Sequence, residues 1–140
     1  MKATLTMTPH MKLLVSFAII LLLFGCKGSD SADFKVIQRQ TAGDYTVSIL
    51  SPTGTMKNGS STYAVEFRKT SDNQLVDVGK VDVSPVMEMA GMAPMMGSAE
   101  VSPTNTPGRY DVKGNLTMAG LWKVNVKFGD QNVRFSLNAE

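Results

Sequence analysis

An all-β fold, an immunoglobulin-like β-sandwich of about seven strands, is what this chain predicts. Apolar and polar residues alternate with a period of two over most of its length. Turn-forming residues separate the alternating stretches, and no segment carries a helical period. A short apolar segment near the start ends at the only cysteine, which points to an exported domain.

The export segment comes first. Lys12 precedes an apolar run from Leu13 to Phe24 broken only by Ser16, followed by Gly25 and Cys26. The run is too short to span a bilayer, which needs about 20 residues. A positive start, a short apolar core and a small residue before the cut describe a secretory signal over residues 1–25. Met11-Lys12 makes a more ordinary signal start than Met1, so the first ten residues read as a long leading region or as sequence upstream of the true start. A lone cysteine in an exported chain needs an explanation. Leu23-Phe24-Gly25-Cys26 resembles the lipobox of bacterial lipoproteins, with Phe24 bulkier than that pattern prefers. The resemblance implies that Cys26 becomes the lipidated first residue and ties the protein to a membrane. Lys27 follows in place of the Asp that retains lipoproteins at the inner membrane of enteric bacteria. In a Gram-negative cell the expectation is therefore the outer membrane, facing the periplasm.

Removing residues 1–25 takes away Lys2, Lys12 and no acid, so the 14 basic residues fall to 12, equal to the 12 acidic ones. A neutral chain with interspersed signs gives no footing for nucleic acid. The single histidine, His10, leaves with the signal. With Cys26 lipidated no thiol remains for a disulfide or a thiolate metal site. Asp72, Asp77, Asp82, Glu88, Glu100, Asp111 and Asp130 fall in turns or on outward strand positions, and none pairs at a spacing suited to acid–base work. No phosphate loop or nucleophile triad appears. The chain reads as non-enzymatic.

Lys27 to Asp33 is small, polar and unpatterned, as a flexible tether is. Residues 26–40 are taken as the lipidated cysteine and tether, with the apolar pattern gathering from about Phe34, and residues 41–140 as one domain of ordinary size. Its strands follow in order. Tyr45 to Leu50 is the first. Tyr63, Val65 and Phe67 alternate with Ala64, Glu66 and Arg68. Val81 and Val83 alternate with Lys80, Asp82 and Ser84, and another strand begins near Ala99. Tyr110 to Lys113 precedes two long alternations, Trp122-Val124-Val126-Phe128 and Val133-Phe135-Leu137. Turn chemistry at Pro52-Thr53-Gly54, Lys57-Asn58-Gly59, Ser71-Asp72-Asn73, Pro103 to Gly108 and Gly129-Asp130 punctuates them. Tyr63, Val65, Phe67, Val83, Trp122, Val124, Val126, Phe135 and Leu137 are expected inward.

Five methionines crowd Met87 to Gly97: Met87, Met89, Met92, Met95 and Met96. Met118 lies shortly before Trp122. Thioethers are soft donors that favour Cu(I) and similar ions over Zn or Mg, and methionine also fills irregular apolar gaps. Gly91, Pro94 and Gly97 argue against regular structure, so a long, mobile connection is expected between Pro85 and Ala99. Burying each methionine gains roughly 1.5–3 kcal/mol. The loop therefore plugs the end of the sandwich, docks a partner, or binds a soft ion. A Cu(I) site would draw on Met87, Met89 and Met92 with Met95 or Met96, and with Met118 if it faces the same end. Met56 reads as incidental surface or a core edge, and Glu88, a hard donor, as loop solvation.

From about Asn58 to Asn138 the chain resembles the YtkA-like family of small exported β-sandwich domains, which is similar to the FixH group. The residues that carry the likeness are Gly59 before Tyr63-Ala64-Val65-Glu66-Phe67, Val81 to Pro85 running into the methionines, Pro107-Gly108-Arg109-Tyr110, and Met118-Ala119-Gly120-Leu121-Trp122. Because the family recurs in copper-handling and efflux proteins, the resemblance implies copper capture or relay, with a copper-efflux or envelope protein as partner. Family members often place His beside the Met residues. Its absence here leaves Cu(I) or Ag(I) rather than Cu(II), in an all-thioether site helped by Trp122.

Overall fold

The computed structural model describes residues 33–140, and the expected signal and lipidation site at Cys26 lie outside them. Two antiparallel sheets form a β-sandwich of nine strands, with no helix among the described residues. They are β1 (Lys35–Ala42), β2 (Tyr45–Ser51), β3 (Gly59–Lys69), β4 (Val81–Met87), β5 (Met95–Met96), β6 (Ser98–Pro103), β7 (Arg109–Leu116), β8 (Gly120–Phe128) and β9 (Gln131–Ala139). The larger sheet runs β1-β2-β3-β7-β6 and the smaller β5-β4-β8-β9. At one side β1 lies against β9, and at the other β4 lies against β6.

All nine residues expected inward are buried. Period-two alternation puts them on one face of each sheet, and the two faces meet as a single apolar core. Phe67 packs edge-on against Phe128 at 4.8 Å and against Tyr110 at 5.6 Å between ring centres. Trp122 is fully buried toward the other end of the sandwich.

Two strands exceed the expected seven. One is β5. The other, β1, begins at Lys35, inside the 26–40 stretch taken as tether, so the folded domain starts earlier than residue 41. Its register shifts between Val36 and Gln38, a bulge that interrupts the alternation. A two-residue loop, Gly43-Asp44, turns it into β2, and Gly43 takes the positive φ of +56° that such a loop demands of its first residue.

Alternation also understates burial on the outer face of the larger sheet. Leu50, Ala64 and Glu66 point away from the core, yet all are buried. The Glu66 carboxylate accepts from Arg68 at 3.3 Å and pairs with Arg109 at 3.5 Å. The Arg109 guanidinium lies 4.6 Å over the ring of Phe34, just ahead of β1. This chain of contacts brings Phe34 onto the outer face and lets a carboxylate be buried there with its charge paired.

Candidate metal centre

Met87 is the last residue of β4 and sits in the core, 7% exposed. The β4–β5 register places Met95 directly opposite it and Met96 opposite Val86. Residues paired this way share a face, with Cβ atoms about 4.5–5.5 Å apart. Met95 is half-buried against the core with Met87, whereas Met96 points the other way and is 62% exposed. Met89 is half-buried and packs on the same core. Met92 stands at 63% exposure on the turn closed by its amide to the Met89 carbonyl at 3.3 Å.

Met118 occupies the connection between β7 and β8. The residue is 41% exposed, while its carbonyl accepts the Trp122 indole N–H at 3.0 Å. Trp122 thus supports the site from below through a backbone atom. The preceding residue, Thr117, donates its hydroxyl to the sulfur of Met95 at 2.8 Å. The six expected residues therefore divide. Met87, Met89 and Met95 pack on the core, Met92 and Met96 face solvent, and Met118 is exposed next in sequence to Thr117, which bonds Met95.

Three outcomes follow. The connection after β4 is tied down: β4 runs on to Met87, β5 pairs back onto it, and the Gly97 amide donates to the Pro85 carbonyl at 3.0 Å. A long mobile loop between Pro85 and Ala99 is thereby replaced by the shorter connection of residues 88–94. Of its two expected places Met56 takes the core one, being 1% exposed, and is not incidental surface. It bridges Ala139, and Ala139 pairs with Gly120. A Cβ added at Gly120 would lie 3.1 Å from the Met87 methyl, so Met56 and Met87 pack around one spot. Finally, Thr117 carries no sequence signal; only the fold brings its hydroxyl to a thioether.

Charge around the site is balanced. Lys123 hydrogen-bonds Glu88, and that contact holds the Glu88 carboxyl below its ordinary value. Glu88 is thereby engaged with Lys123 at the surface rather than aimed among the sulfurs. No three carboxylate, imidazole or thiol side chains gather to hold an ion among the described residues. The donors assembled at this end are thioethers, whose preference is for soft monovalent ions.

Fold and site together define a small β-sandwich domain with a methionine-lined end. The YtkA-like family model matches residues 39–127, and the chain belongs to that family. No curated protein matches it. Among solved structures, the crystal structure of the S-layer protein SbsC domains 4 and 5 is similar at 17% identity and a TM-score of 0.41. The match covers 76% of this chain and 50% of that one, so the chain spans half of that structure's length.

Proposed function

We propose that this domain captures or relays Cu(I), or the chemically similar Ag(I), through thioethers at the Met87 end of the sandwich. The observation that carries this reading is the register Met87–Met95, which sets two soft donors side by side on the half-open edge of the core. Met89 supplies a third donor, and Met118, exposed next in sequence to Thr117, would be a fourth. Met92, exposed on the connection after β4, and Met96, exposed on β5, offer thioethers to an incoming or departing ion. Methionine side chains exchange such ions readily because their three rotatable bonds let sulfurs approach and withdraw. The protein itself catalyses no reaction. Lipidation at Cys26 would hold the domain at the cell envelope, at the periplasmic face of the outer membrane in a Gram-negative cell. A copper-efflux or other envelope protein would then exchange the ion.

A second reading rests on burial. Met56, Met87 and Met89 pack as apolar filler, while Met92 and Met118 in the connections, Met96 on β5 and Leu121 at the start of β8 are large apolar residues left exposed. In that case the loop closes the sandwich and docks a partner without metal.

Competition of residues 27–140 with a chromogenic Cu(I) chelator separates the two. The expected result is withdrawal of one Cu(I) from the chelator, with little affinity for Zn or Cu(II). Replacing Met87, Met89 and Met95 together by Leu keeps apolar volume nearly constant, so the fold should lose less than about 1.5 kcal/mol per substitution while the ion is lost. A wild-type domain that leaves the chelator's copper untouched would sink the metal reading.

A further inference from the structure

β5 is two residues long, and its ladder consists of Val86–Met96 and Met87–Met95 alone. Such a short strand fixes its backbone but leaves the Met95 thioether free to rotate about three bonds. What fixes the sulfur is the Thr117 hydroxyl at 2.8 Å. That donor stands on a firm support. Leu116, before it, is fully buried and pairs with Gly59, and the Met118 carbonyl, after it, is held by the Trp122 indole.

We propose that Thr117 is a positioning residue of the thioether site, holding the Met95 sulfur beside Met87 so that it meets a soft monovalent cation already oriented. A thioether sulfur has two lone pairs. The hydroxyl engages one and leaves the other to the ion, so the hydrogen bond and the coordinate bond coexist. Fixing the sulfur in advance removes part of the ordering cost of binding, as outer partners do for ligands at other metal centres. The proposal rests on the Cu(I)/Ag(I) reading above.

The test uses the full-length protein in detergent, with methionine methyl groups labelled by carbon-13 and Ag(I) as the probe. In the wild type, Ag(I) should move the Met87 and Met95 methyl resonances. Thr117→Val keeps the shape and removes the donor. It should weaken Ag(I) about tenfold and shift the ion-free Met95 resonance, leaving that of buried Met56 in place. Thr117→Ser restores the hydroxyl and should restore both readings. Unchanged Trp122 emission shows that a variant has kept its fold; if Thr117→Val fails that check, rescue by Thr117→Ser against Thr117→Ala decides. Wild-type affinity in Thr117→Val would overturn the proposal, as would a Thr117→Ser variant behaving like Thr117→Val. If Ag(I) moves no methyl resonance in the wild type, the metal reading itself has failed, and that is visible before any substitution is made.

Discussion

Gly120 begins β8 with a φ of +131°, a backbone conformation that side-chain-bearing residues rarely adopt. A Cβ there would also press on the Met87 methyl. Gly120→Ala therefore combines backbone strain with displacement of a proposed ligand. The expected loss exceeds about 1 kcal/mol, read by denaturant unfolding, and Cu(I) affinity should fall with it. Retention of both stability and affinity would show that Met87 yields freely and is not fixed by its surroundings. Met56 offers the contrast at the same scale. It is buried deeper than any of the six candidate ligands, yet nothing in its neighbourhood of turn residues, Thr55-Met56-Lys57-Asn58, announces a core position. Its burial follows from a bridge to Ala139 at the far end of the chain, a contact that local pattern cannot reveal.

Among elements, the connection before β4 is held by a polar clasp. Tyr110 donates its hydroxyl to Asp77 at 2.7 Å, and the Gly79 amide donates to the same carboxylate oxygen at 2.8 Å. These bonds, the Gly79 amide first, keep the Asp77 carboxyl below its ordinary value. A depressed carboxylate contributes stability that is fully present above its unfolded-state value and is lost as pH falls through the folded one. Thermal midpoints should accordingly decline as the solution is taken to and below the ordinary carboxylate range. Asp77→Asn should lie lower at neutral pH and decline less; Glu88, shifted the same way by Lys123, keeps part of the slope. Identical pH profiles for the two proteins would refute the clasp. The strands themselves were readable where alternation was uninterrupted, as in Tyr63 to Phe67 or Trp122 to Phe128. β1 was not, because adjacent Val36 and Ile37 straddle a bulge and the rest of Lys35–Ala42 is largely polar. The Gly43-Asp44 pair was the signal that could have exposed it, since a two-residue turn requires a strand on each side. β5 was illegible for another reason: two methionines between Pro94 and Gly97 acquire strand geometry only from β4. Of the site, the crowding of thioethers was visible, but its division into core-packed and solvent-facing residues depends on that register.

At the scale of the whole molecule, anchoring and folding meet. The proposed lipidation at Cys26 is tested by mass spectrometry of membrane-extracted protein, which should find residues 1–25 removed and the lipid on the N-terminal peptide. Cys26→Ala should release the domain from the membrane; persistent membrane association would defeat the expectation. Beyond the anchor, the order of strands constrains how the domain comes into being. β3 is central in the larger sheet, and its partner on one side, β7, is paired from Glu66–Arg109 to Gly59–Leu116, at sequence separations of 43 to 57 residues. The hairpin of β1 and β2 forms from neighbours, but β3 keeps an open edge until β7 arrives, and Trp122, the largest core side chain, comes only with β8. Loop closure over such distances must precede the contacts that reward it, which slows folding. A chain emerging from its N-terminus thus stays open, with a bare strand edge, until most of its length is available. Its methionine end, assembled from β4, β5 and the β7–β8 connection, is among the last parts to exist, so any ion it takes is taken by the finished domain and not by the growing chain.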